Sequence, residues 1–192
     1  MAKIKLIGIG GTDGSGKDSL GEMLAERHGW MYVSVTDILR DEARRRGIPL
    51  RRDTLREISA EWRREFGLGV LVDKALVIYK KSSGKHNGLA MASLRNSGEV
   101  DRLHELGGTM VWADADPQVR YQRVSGRNRG TEDHITYEEF LAEEKAQSHH
   151  GGDKHALSLN DVKSKADIFI ENNGNDIEKF KTEAEKVLKK YL

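Results

Sequence analysis

The 192-residue chain predicts an α/β domain built on a parallel sheet with helices on both faces. Three observations carry that expectation. Short apolar runs alternate with longer segments of helical periodicity along the whole chain. Glycines and the two prolines punctuate the joints. The opening 35 residues spell strand, glycine loop, helix and strand, a βαβ unit whose crossover is right-handed in nearly all cases.

Residues 3–9 form a β-branched and leucine run that ends at Gly10-Gly11, as expected of a buried strand entering a glycine loop. A helix follows, with Leu20, Met23, Leu24 and His28 at helical spacing and Gly29 where a C-terminal cap belongs. Trp30 to Val35 makes the second strand. Thr36-Asp37 can cap a helix running to Arg46, stopped by Gly47 and Pro49. Thr54 and Glu57 have capping-box spacing, and Leu55, Ile58, Trp62 and Phe66 make an apolar stripe. Val70 to Tyr79 is apolar almost all round, which predicts a buried crossover helix. Gly88 to Leu94 is a third strand poor in β-branched residues. A helix over 98–106, a strand over 109–113 and a helix from Pro117 to Val124 continue the alternation, with Pro117 at a favoured first helical position. Tyr137 to Ala146 is helical, 148–155 a loop, 167–171 a fifth strand and 176–191 a closing amphipathic helix. No repeat or linker divides the chain.

With 37% apolar and 33% charged residues, a chain of this length can bury a core without staples. The absence of cysteine excludes disulfides, thiolate metal sites and cysteine nucleophiles. No apolar run approaches the ~18 residues of a membrane span, so no membrane partner and a cytoplasmic location are expected. A net charge of +1 argues against a dedicated nucleic-acid binder. All 16 arginines lie between Arg27 and Arg129, whereas lysines reach both ends. Arginine suits forked recognition of phosphate, so this concentration points to a phosphate-handling surface, the alternative being a solvated face. The run at positions 44–46 lacks the interleaved aromatics of a nucleic-acid platform.

Gly11-Thr12-Asp13-Gly14-Ser15-Gly16-Lys17 supplies the G-x-x-x-x-G-K part of the P-loop motif, between a predicted strand and a predicted helix. Glycines let backbone N–H groups turn inward around phosphate oxygens, the helix N-terminus adds positive potential, and Lys17 reaches the terminal phosphates. The usual hydroxyl after the lysine is replaced by Asp18, with Ser19 one place later. A carboxylate there repels triphosphate unless it points away or acts through water or magnesium. The hydroxyl role, and magnesium held largely through water, therefore pass to Ser19. No guanine-reading Asn-Lys-x-Asp motif is present.

A hydroxyl two places after the lysine resembles the nucleoside monophosphate kinases. Ser34-Val35-Thr36-Asp37-Ile38-Leu39-Arg40 resembles the acceptor-binding segment of adenylate kinase-like enzymes. Arg95-Asn96-Ser97-Gly98-Glu99-Val100 resembles an Arg-Asn-Pro-Gly-Glu-Val segment of small nucleotide and dephospho-coenzyme A kinases, with Ser97 in place of proline. Arg120, Arg123, Arg127 and Arg129 arrive without an acidic neighbour until Glu132, as in a nucleotide-kinase lid. Ala166 to Gly174 resembles the last strand and adenine-side loop.

The chain thus resembles, over nearly its whole length, the P-loop nucleoside monophosphate kinase-like family, on the branch adjoining dephospho-coenzyme A kinase. That resemblance implies one domain over 1–192 with a five-stranded parallel sheet, an acceptor-binding insertion near 37–67 and a lid near 125–135, using ATP and Mg2+. The nucleotide's phosphates would meet Gly11, Asp13, Gly14, Ser15, Gly16, Lys17, Asp18, Ser19 and Arg123, with Asn173 and Gly174 on the adenine side. Asp37, Arg40 and Arg95 would hold the acceptor. Lys17, Asp37, Arg123 and Arg127 would act on the transferring group, and Arg120, Arg127 and Arg129 would close as the lid. Asp13 also reads as a turn residue, Asp37 as a helix cap and Arg120 as a surface charge.

No acid stands in the third strand, Gly88 to Ser93, to hold magnesium. His149, His150 and His155 lack ligand spacing and read as a loop more than a metal site. The expected activity is an ATP-dependent phosphotransferase acting on a nucleoside or deoxynucleoside monophosphate. Dephospho-coenzyme A kinase and a nucleotide-operated assembly ATPase are the alternatives, and the chain is expected to be a monomer or homodimer.

Overall fold

The computed structural model describes residues 4–82, 84–126, 136–149 and 151–192. In chain order the elements are β1 (Leu6–Gly11), α1 (Lys17–His28), β2 (Met31–Ser34), α2 (Val35–Arg46), α3 (Arg52–Phe66), α4 (Val70–Lys81), β3 (Leu89–Ala92) and α5 (Ser97–Glu105). There follow β4 (Thr109–Asp114), α6 (Pro117–Ser125), α7 (Tyr137–Ser148), α8 (Leu159–Ser164), β5 (Ile168–Glu171) and α9 (Ile177–Leu188). The five strands form one parallel sheet in the order β2-β3-β1-β4-β5. The glycine loop therefore leaves the centre of the sheet.

Strand alternation sorts side chains into two cores. Leu6, Leu89, Met91, Met110 and Trp112 face α2 to α5 and α8, whereas Ile7, Ile9, Ala90, Ala92, Val111 and Ala113 face α1 and α9. Covering both faces explains why the strands read as unbroken apolar runs. β3 lies between β2 and β1 with all four residues buried, so burial on both sides fixes it as a strand without β-branched residues.

Several local expectations are corrected. Thr54 forms no capping box, because α3 already begins at Arg52 and the Thr54 amide bonds to Asp53. Capping boxes form instead at Asn96 with Glu99 and at Thr136 with Glu139. Asp37 is not a cap, since α2 starts at Val35 with Ser34 before it. Phe66 is 57% exposed at the end of the α3 stripe, and Val77 and Ile78 on α4 also face solvent. Sequence reading missed α8, a single short helix whose Leu159 and Val162 join the core against β1.

Among the described residues Ser93, just after β3, is the one non-glycine at positive φ, at 68°. A side chain there crowds the next carbonyl, and glycine does not. Ser93→Gly is expected to stabilise the fold by about 1 kcal/mol, read as a higher urea midpoint. An unchanged or lower midpoint would show that the turn carries no strain.

Candidate active site

The glycine loop is built by close contacts. Gly14 has φ 82°, and a Cβ there would lie 2.6 Å from the Arg120 carbonyl oxygen; at Gly16, with φ 96°, it would lie 2.4 Å from Asn172 Nδ2. Asn172 Nδ2 donates to the Ser15 carbonyl at 3.1 Å, and Arg123 donates to the carbonyls of Gly14 and Gly174. The expected pair Asn173 and Gly174 thus lies beside the loop, but Asn172 touches it; Asn173 Oδ1 instead accepts from the Asp116 amide at 2.7 Å.

Gly16 caps α1 with no side-chain bond, leaving the first amides of the helix to an incoming acceptor. Thr12 Oγ1, Ser15 Oγ and Arg95 Nε are buried without a hydrogen-bond partner among the described residues. Unpaired buried donors are costly, about 1–3 kcal/mol each, and phosphate oxygens would satisfy them. The loop and its helix therefore fit a nucleotide phosphate, and Lys17, buried with Nζ 3.4 Å from the Thr12 carbonyl, stands at its rim.

Beside the loop opens a cleft of about 560 Å³, walled by the β2–α2 junction, α3 and the end of β3. Asp37, Arg40 and Arg95, the three residues expected to hold an acceptor, line it together. Arg52, Arg56 and Arg63 line it too, and no pattern in the sequence had singled them out. Arg63 is spent on structure, its guanidinium bonded to Glu99 at 2.7 Å and to the His155 carbonyl at 2.8 Å. Asp37 pairs with Arg40 at 2.7 Å.

Asp13 is the electrostatic hub, 2.9 Å from Arg95, 3.5 Å from Lys17 and 3.8 Å from Arg52. Burial pushes its carboxyl upward, but these three cations together hold it far below the usual carboxylate range. Asp18 accepts from the Tyr32 hydroxyl at 3.0 Å and faces the cleft, whereas Ser19, on the same turn of α1, does not line it. Burial first, then the Asp18 charge, raises the Tyr32 phenol and keeps it a donor.

Helix α7 contributes three contacts that sequence reading missed. Glu143 bonds Arg52, Glu144 bonds Arg120 and Gln147 bonds Arg95, so one helix face braces three arginines. Arg120, expected in a mobile lid, is 3% exposed and fixed within α6 by Glu144 and the Ala115 carbonyl. Arg127, Arg129 and His150 lie outside the described residues. His155 turns to Asp153 and His149 to Asn160, and no group of three or more metal-ligating His, Cys, Asp or Glu gathers among the described residues. Part of the central arginine concentration is surface pairing, as with Arg44 on Asp41 and Arg45 on Glu42. No described helix is long and apolar enough to cross a membrane.

Sheet order, central glycine loop and flanking helices define a P-loop NTPase-like fold of the kinase type. Its likeness to solved structures agrees. A Thermus thermophilus protein superposes with a TM-score of 0.60 at 21% identity, covering 97% of both chains. Shikimate kinase from Bacteroides thetaiotaomicron gives 0.57 at 12% identity, covering 96% of this chain and 98% of that one. The chain belongs to the AAA domain family, which matches residues 7–146, and to the UPF0200 family. It is 31% identical over 187 residues to the UPF0200 protein of Pyrobaculum aerophilum, spanning 96% of this chain and 97% of the relative. Identity to the UPF0200 protein of Sulfurisphaera tokodaii is 28% over 193 residues, spanning 100% of both.

Proposed function

We propose that this chain is an ATP-dependent phosphotransferase that uses Mg2+ and whose acceptor is a small phosphorylated nucleotide, a nucleoside or deoxynucleoside monophosphate. The observation that carries this reading is the cleft beside Lys17, which takes Arg40 from α2, Arg52 and Arg56 from α3 and Arg95 from the turn after β3. A phosphoryl donor alone needs one positive cradle; transfer to a second phosphate needs another facing it. Residues 37–67 then act as the acceptor-binding insertion of a single domain over 1–192.

The carboxylates support a phosphate acceptor over a hydroxyl acceptor such as dephospho-coenzyme A. Asp13, Asp18 and Asp37 each already accept a hydrogen bond, from Arg95, Tyr32 and Arg40 respectively, so none of the three stands alone as a base for an attacking hydroxyl. A phosphate brings its own anionic oxygen. In this reading Lys17 and Arg123 draw charge from the transferring phosphoryl, while Arg40, Arg52 and Arg95 orient the acceptor. Mg2+ bound with ATP neutralises the phosphate charge.

Purified protein with Mg-ATP should release ADP faster with one nucleoside or deoxynucleoside monophosphate than with the others, with dephospho-coenzyme A or with shikimate. Arg40→Ala and Arg52→Ala should each raise the acceptor KM about tenfold or more, the worth of a charge-assisted hydrogen bond, with the ATP KM nearly constant. Equal weakening of ATP would put both arginines on the donor side. ATP binding with no stimulating acceptor would favour the assembly ATPase reading.

A further inference from the structure

We propose that Tyr32 is a positioning residue that holds the Asp18 carboxylate as a protein ligand of the magnesium ion accompanying the nucleotide. This rests on the phosphotransferase reading above. Asp18 directly follows Lys17 in the first turn of α1, and both line the cleft. Asp13 and Asp37 have cations of their own, but no Lys, Arg or His pairs with Asp18 among the described residues. Its partner is the neutral phenol of Tyr32, which donates to Oδ1 at 3.0 Å. An unpaired carboxylate beside a polyanionic substrate raises the energy of the complex unless a cation stands between them.

The phenol is placed at a cost to the helix. Gly21 lies inside α1, where glycine is about 1 kcal/mol worse than alanine. A Cβ at Gly21 would sit 2.3 Å from two carbons of the Tyr32 ring, so glycine is what lets the ring lie flat on the helix and reach Asp18. A carboxylate has two oxygens, and the phenol takes one, leaving Oδ2 for a hard cation. Magnesium needs few protein ligands, because phosphate oxygens and waters complete its octahedron. The assignment moves the metal from Ser19 to Asp18.

The test is direct binding of Mn2+ to the ADP complex, followed by electron paramagnetic resonance, alongside ADP affinity without metal. Tyr32→Phe keeps the ring against Gly21, so its unfolding midpoint checks that the fold is intact. Tyr32→Phe should weaken Mn2+ about tenfold, the usual effect of removing a partner that orients a ligand. Asp18→Asn should weaken it further, with metal-free ADP affinity held or improved in both. In an Asp18→Ser background, where a hydroxyl ligand needs no phenol, Tyr32→Phe should have no additional effect.

Wild-type Mn2+ affinity in Tyr32→Phe, or the same loss from Tyr32→Phe in the Asp18→Ser background, would overturn the proposal and leave the phosphotransferase reading standing. So would an Asp18→Asn variant that changes only the acceptor KM. Failure of the wild-type protein to bind ADP at all would instead remove the reading on which the proposal rests.

Discussion

Replacing Lys17 with alanine is expected to lower kcat for phosphotransfer at least about a hundredfold while the protein stays folded. Lys17 is buried at the start of α1, with Nζ 3.4 Å from the Thr12 carbonyl and 3.5 Å from Asp13. Asp13 keeps Arg95 and Arg52 when the lysine is gone, so no carboxylate is stranded. What is lost is the ammonium placed to meet charge on the transferring phosphoryl, an interaction that matters most in the transition state. The check is single-turnover ADP formation beside a thermal unfolding curve. Phosphotransfer at the wild-type rate would remove the glycine loop from the reaction, and loss of folding would make Lys17 a structural residue.

Glu99→Ala is expected to be the most destabilising substitution proposed, costing about 3–5 kcal/mol, the range for removing one partner of a buried ion pair. Glu99 and Arg63 are 0% and 1% exposed at their side chains, and the carboxylate accepts from Arg63 at 2.7 Å. It also takes the backbone amides of Arg95 at 2.8 Å and Asn96 at 3.1 Å. Alanine would leave a guanidinium charged and unpaired in the core, and would release the turn that aims Arg95. Against a total stability of about 5–15 kcal/mol, such a loss should appear as a large fall in the urea midpoint. Replacing both partners together, Arg63→Met with Glu99→Leu, should recover most of the stability but not the acceptor KM, since Arg95 would still be free to turn. A small effect of Glu99→Ala alone would mean that water reaches the pair.

The architecture was largely legible because it rests on local signals. Apolar runs marked all five strands, Gly29 and Gly47 marked the helix ends they cap, and the glycine loop announced itself between strand and helix. The candidate site was legible only where its residues are contiguous in sequence, as from Gly11 to Asp18, or where they lie a few residues beyond a strand end, as with Arg40 and Arg95. Arg52 and Arg56 were hidden because they sit on a helix whose face toward the cleft depends on how α3 packs on α2. Arg120 misled for the opposite reason. Its acidic partner, Glu144, lies 24 residues on, invisible to any reading of charge along the chain. Tyr32 and Asp18 are brought together by the crossover from α1 to β2, and the glycine that permits their contact looks in sequence like a weak spot in a helix.

The position of β1 also sets an order of events during synthesis. β1 is made before the other four strands of the sheet, yet it lies between β3 and β4, and Asn172 beyond β5 ties down the loop that follows it. Each of those neighbours must be made before the loop has its walls, and such long-range parallel pairing is slow to close. Until then the strand's apolar residues lack part of their cover, and exposed apolar surface of this kind is what makes unfinished chains associate wrongly. A chain halted before residue 165 would therefore carry the whole G-x-x-x-x-G-K segment without Asn172 to hold it, and the nascent protein should gain a competent phosphate cradle only as β5 docks.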